Sequence, residues 1–99
     1  MDPVPAADEA KVLRAFLVDG RLVRIPAQHK KRLVVLRYLA RTDFRQGEAI
    51  PERDVNMRLA LRNPDVAALR RYLVENGFME RSGGIYRLRP EEGWPAPIP

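Results

Sequence analysis

The sequence predicts an α+β domain of three to four helices and a small antiparallel sheet, and three observations carry that reading. Residues 52–62 and 65–76 have helical apolar spacing and are separated by the tight break Asn63-Pro64. Gly77 ends the second of them, and residues 78–82 and 85–89 then read as two strands closed by Gly83-Gly84. Ahead of these, residues 27–41 are apolar at Leu33, Val34, Val35, Leu36, Tyr38, Leu39 and Ala40, which covers more than one face. A helix apolar on most sides is packed on most sides, so this one is expected at the centre.

The elements follow in order. Residues 1–5 are expected as a disordered leader, 6–89 as one folded domain and 90–99 as a Pro-rich extended tail. Asp8 suits the N-cap of a first helix running to about Val18, and Asp19-Gly20 stops it. Leu22 to Ile25 reads as a short extended segment, since Pro26 bars its predecessor from helix. The central helix starts against a local rule: Lys30, Lys31 and Arg32 lie in its first turns, where the helix dipole disfavours cations. Either an anion is held there, or long cationic stems point into solvent. Phe44 is expected back on the core, and Ala49-Ile50 as a short strand beside the later hairpin. Pro51 with Glu52 and Asp54 makes a good helix start, and Asn63 a plausible cap for the next helix.

In that next helix, Val66, Leu69, Leu73 and Gly77 form one stripe, flanked by Arg70 and Val74. Ala67, Ala68, Arg71 and Glu75 face away. The hairpin within 78–89 should pair Ser82 with Ile85, Arg81 with Tyr86, Glu80 with Arg87 and Met79 with Leu88. Met79, Tyr86 and Leu88 should be buried, with Glu80 and Arg87 an ion pair on the other face. A central helix, then helix, break, helix and hairpin, is the order of a winged helix-turn-helix, which places the second helix of the pair in the DNA major groove.

Composition narrows the function. Ninety-nine residues make one domain with a thin core. With no Cys there is neither a disulfide framework nor a thiolate metal site, and a reducing compartment, the cytoplasm, is expected. Met1-Asp2-Pro3 is not expected to open a signal peptide, and the longest aliphatic run, residues 33–36, is too short to span a bilayer. The net charge is +5. Residues 11–50 hold ten Lys or Arg against three acids, so the excess lies in the first half. A basic balance favours a polyanion, although 15 of the 18 cations are Arg, a bias that codon usage alone produces.

Several spaced motifs resemble a known family. They are Asp19-Gly20-Arg21-Leu22 with Ile25-Pro26, and Lys30-Lys31-Arg32-Leu33-Val34-Val35-Leu36. Glu52-x-Asp54-Val55-Asn56 and Asp65-Val66-Ala67-x-Leu69-Arg70-Arg71-x-Leu73-Val74 follow, and Gly77-Phe78-Met79-x-Arg81 with Tyr86-Arg87 closes the pattern. From residue 16 to 88 the chain is similar to a small bacterial family catalogued as domain of unknown function number 2087. Two positions depart from it: Ile50-Pro51 where relatives have an aromatic, and Asn63 where they have His. The resemblance implies a winged-helix-like fold, found alone or fused to helix-turn-helix regulators, and an association with transcriptional control.

No enzyme is expected. One His (His29), one Ser (Ser82) and one Thr (Thr42) do not assemble a nucleophile with its base, or a metal site. No metal, cofactor or membrane partner is expected. The first functional reading is a transcription-regulatory domain on double-stranded DNA. Its contacts would be Lys30, Lys31, Arg32, Ala67, Ala68, Arg71, Arg81 and Arg87, with Arg71 on guanine or phosphate. The alternative is an interaction module that docks a DNA-binding regulator or a second copy of itself. Arg70 is expected to pair with Asp54 or Glu52, and Asn56 to bracket neighbouring backbone.

Overall fold

The computed structural model describes residues 7–97, so the leader expected over residues 1–5 and the final two tail residues lie outside the described residues. The order is α1 (Ala7–Phe16), β1 (Leu17–Val18), β2 (Arg21–Leu22), α2 (His29–Asp43), β3 (Ile50–Pro51), α3 (Glu52–Ala60), α4 (Val66–Glu75), β4 (Met79–Ser82) and β5 (Ile85–Leu88), followed by a 3₁₀ turn at Glu91–Gly93. All strand pairs are antiparallel, β1 with β2 and a second sheet in the order β3-β5-β4. From α2 onward this is a winged-helix-like α+β arrangement.

Apolar patterning puts α2 at the centre. Leu33, Val34, Val35, Leu36, Leu39 and Ala40 are all buried in it. Each fully buried Leu or Val contributes about 1.5–3 kcal/mol, so this helix carries a large share of the folding drive. Val55 and Leu59 of α3, Leu69 and Leu73 of α4, and Met79, Tyr86 and Leu88 of the hairpin complete the same core. Phe44 is buried as its apolar ring requires. The hairpin register is the one its Gly-Gly loop dictates, with Met79 opposite Leu88, Glu80 opposite Arg87, Arg81 opposite Tyr86 and Ser82 opposite Ile85. Ile50 pairs with Tyr86 on the other side of β5.

Several local expectations are corrected. The first helix does not begin with Asp8 as its cap, because Ala7 is already helical. It also stops at Phe16 instead of Val18. Leu17 and Val18 pair with Leu22 and Arg21 across Asp19-Gly20, whose φ angles of 52° and 79° make a tight hairpin turn. The third helix ends two residues short of Arg62: Leu61 and Arg62 donate to Arg58 and Leu59, tightening the last turn to i→i+3 bonds. Asp65, not Asn63, caps α4, accepting from the Ala68 amide at 3.3 Å. Asn63 instead closes the break, accepting from the Asp65 amide and donating to the Leu22 carbonyl at 2.8 Å.

Residues 90–97 stay on the domain. Trp94 is buried, its ring edge-on to Phe78 at 5.4 Å, and its indole N–H donates to the Arg89 carbonyl. Arg41 holds Glu91. Arg37, only 6% exposed, donates to Glu9 of α1 and to the Pro95 carbonyl, both at 2.6 Å. One buried guanidinium on α2 thus ties down both α1 and the tail. No helix among the described residues is long and apolar enough to cross a membrane.

Candidate nucleic-acid interface

The helix pair is locked before any surface is presented. Arg70, on the flank of the α4 stripe, reaches back to α3, where it donates to the Asn56 side chain and lies 3.7 Å from Glu52. Of the two acids expected for it, Glu52 is the partner, and Asp54 faces its exposed neighbour Arg53 at 3.6 Å. Asn56 does not bracket backbone; its carbonyl oxygen is taken by Arg70. Glu52 also accepts from the Tyr86 hydroxyl at 2.7 Å and lies 3.9 Å from Arg81. The Tyr86 bond, then the Arg70 and Arg81 charges, hold the Glu52 carboxyl below its ordinary value against the opposing effect of desolvation. Burial first, then the bond to Glu52, push the Tyr86 hydroxyl up.

A second locked seam lies at the α3–α4 turn. Arg62 grips both carboxylate oxygens of Asp43 at 3.0 and 2.7 Å and donates to the Gly20 carbonyl at 2.7 Å. Arg58 grips Glu48 the same way, at 3.0 and 2.6 Å. These forks hold both guanidinium groups above their ordinary values and the Glu48 carboxyl below its own.

The outward face of α4 stays open to solvent. Ala67, Arg71 and Glu75 are exposed there. Ala68 is not free as expected: it is half-buried, with its amide tied to Asp65. Arg71 lies 3.9 Å from Glu75 one turn on, an exposed pair of the sort worth only a few tenths of a kcal/mol.

Next to Arg71 stands Tyr72, the residue sequence reasoning passed over. The Arg32 guanidinium lies 4.6 Å from the centre of its ring and the Arg71 guanidinium 5.7 Å. Two cations from different helices therefore share one aromatic ring. Arg32 is oriented by the Ala27 carbonyl at 2.9 Å and the Pro26 carbonyl at 3.3 Å. That orientation explains how one cation tolerates the helix start: its head reaches back to carbonyls ahead of α2 and lies over Tyr72.

The structure divides the cationic run that opens α2. Successive helical residues turn by about 100°, so Lys30 points away from Arg32. Lys30 and Lys31 are exposed and line a groove against α1, whereas Arg32 faces α4. In the hairpin, Arg81 and Arg87 are both exposed. Arg81 leans over Tyr86, 5.9 Å from the ring centre. Arg87 stands opposite Glu80 in register, but the expected ion pair between them is not formed among the described residues. The eight residues singled out for nucleic acid thus fall into three places: Arg32 and Arg71 at Tyr72, with Ala67 exposed and Ala68 half-buried elsewhere on α4, Arg81 and Arg87 on the hairpin, and Lys30 with Lys31 on the α1 side.

Among the described residues no group of three His, Cys, Asp or Glu side chains gathers as a metal ion requires. Two shallow clefts open beside the α3–α4 turn and the hairpin. One of about 330 Å³ lies beside Asp43, Arg58 and Arg62, and one of about 420 Å³ beside Arg81, Ile85 and Arg87.

Fold and surface together define a winged-helix-like α+β domain with a locked helix pair and arginines on the outward side of its last helix. Residues 21–88 match the family described as "Uncharacterized protein conserved in bacteria (DUF2087)". The match covers more than half of the chain, and the chain belongs to that family. Searches of curated proteins and of solved structures found no match.

Proposed function

We propose that this domain is nucleic-acid-associated and serves transcriptional regulation, meeting duplex DNA with the outward face of α4. The observation that carries this reading is the convergence of Arg32 and Arg71 on Tyr72. It joins the basic start of the central helix to the face that a winged helix turns to the major groove. Ala67, one turn ahead of Arg71, leaves room for a close approach. Arg81 and Arg87 flank the Gly83-Gly84 tip as phosphate contacts. Glu75 and Asp65 repel phosphate, so the affinity is modest and mainly electrostatic. The reading is non-enzymatic and requires no cofactor.

Fluorescence anisotropy with a mixed-sequence duplex over a salt series tests it. Affinity should fall steeply with salt, since each phosphate contact releases counterions. Arg71→Glu should weaken binding more than Lys30→Glu. Absence of binding at low salt, or indifference to Arg71→Glu, overturns the reading.

A docking module is the second reading, favoured by Met57 and Leu61. These two apolar side chains are 67% and 72% exposed on one side of α3 and its C-terminal turn. A concentration-dependent dimer mass, lost on Leu61→Lys and accompanied by no DNA affinity, would select it.

A further inference from the structure

The chain has 18 cations, and its three lysines, Lys11, Lys30 and Lys31, all line a single groove. The groove, about 530 Å³, runs between α1 and α2. That volume falls within the roughly 300–1,000 Å³ typical of small-molecule sites. Val12, Phe16, Leu33 and Val34 supply an apolar floor. Arg37 also lines it, but its charge is met by Glu9 at 2.6 Å. The three lysines are exposed and make no ion pair among the described residues. Asp8 is the acid left to oppose them. At the same end, Gln28 precedes α2 without a side-chain cap, and no acid occupies the first turn of that helix.

We propose that this groove binds a small organic anion with an apolar body, an acyl or aryl carboxylate. The carboxylate lies between Lys30 and Lys31, where the uncapped start of α2 adds its favourable dipole. The apolar body lies along Val12, Phe16, Leu33 and Val34. Lysine suits such a ligand, because its ammonium is a mobile point charge that follows a flexible anion, whereas arginine imposes a fixed fork. The wall from α1 lies outside residues 21–88, so the site is a feature of this chain beyond the family match. It lies on the opposite side of α2 from Arg32, and it stands or falls independently of DNA binding.

Because all three lysines lie here, reductive ¹³C-methylation, which preserves their charge, gives lysine NMR signals that report on this groove alone. Decanoate is the probe and decanol its uncharged control. Decanoate should shift the lysine signals along a saturable curve, and decanol should bind at least tenfold more weakly. For the unmethylated protein, calorimetry should show decanoate weakened at least tenfold by Lys30→Glu with Lys31→Glu. Ala15→Phe, at an exposed α1 position lining the groove, should abolish binding while leaving the melting temperature unchanged. Equal affinity for decanoate and decanol, a linear unsaturable shift, or full binding by the Ala15→Phe protein would overturn the proposal.

Discussion

Arg62, in the turn of the helix-turn-helix, and Arg71, on the outward face of its second helix, are committed in opposite ways. Arg62 has a carboxylate fork on Asp43, a backbone carbonyl at Gly20 and a position 5.5 Å over the Tyr38 ring. Arg71 has an exposed Glu75 at 3.9 Å and lies over the Tyr72 ring at 5.7 Å. The first has its hydrogen-bonding capacity filled by the fold; the second keeps most of its donors for something else. Arginine count therefore says little about nucleic-acid binding, and the fraction left uncommitted says more. Arg37, Arg58 and Arg70 belong with Arg62, while Arg87 belongs with Arg71.

The sharpest way to break that division is to remove Arg62. Asp43 is mostly buried, so Arg62→Ala strands a charge, and urea unfolding should show a loss of about 3 kcal/mol. Removing Asp43 as well should recover part of that loss, because no charge is then left unpaired. If Arg62→Ala costs no more than Arg71→Ala, the division fails.

Next in size is the tail. Trp94→Ala empties a site against Phe78 at the edge of the core and should cost about 2 kcal/mol, followed by circular dichroism since the only tryptophan is gone. A cost near zero would mean that the tail does not help to hold the core. Within α4 the contrast narrows to adjacent residues. Arg70→Leu should cost about 1 kcal/mol by releasing Asn56 and Glu52, while Arg71→Leu stays within about 0.5 kcal/mol. Equal effects would erase the distinction between the two positions.

The smallest effect is in acid. Glu48 and Glu52 both titrate below their ordinary value of 4.5 in the fold. A depressed carboxyl stabilises above its unfolded value and loses that contribution as pH falls through the folded one. The urea midpoint should therefore hold above about pH 5 and decline below about 4.5, and Glu52→Gln should flatten part of that decline. An unchanged acid limb in Glu52→Gln would show that the Tyr86 bond and the two arginines do not favour the ionised carboxyl.

The sequence carried much of this fold. A two-residue Gly-Gly loop leaves one register for β4 and β5, and a helix apolar on most sides has nowhere to go but the centre. The α4 stripe was legible because Leu69 and Leu73 recur at helical spacing. The Asp19-Gly20 hairpin was legible in principle, since Asp-Gly between Leu17-Val18 and Arg21-Leu22 is a turn signal, but strands of two residues are too short for alternation to register. Trp94 was hidden by the prolines around it, which point to an extended chain and say nothing about what that chain touches.

The candidate surface was less legible. Nothing in the order of residues announces that Arg32 and Arg71, 39 positions apart, meet on Tyr72. Arg62 and Asp43 bond across 19 positions, and Arg37 and Glu9 across 28. Backbone turns and apolar periodicity are local properties, so the sequence by itself determined the longer helices, their order and the register of the Gly-Gly hairpin. Which cations are neutralised is a property of distances between elements, so only the tertiary structure decided that the run beginning at Lys30 divides, with the lysines facing α1 and Arg32 facing α4.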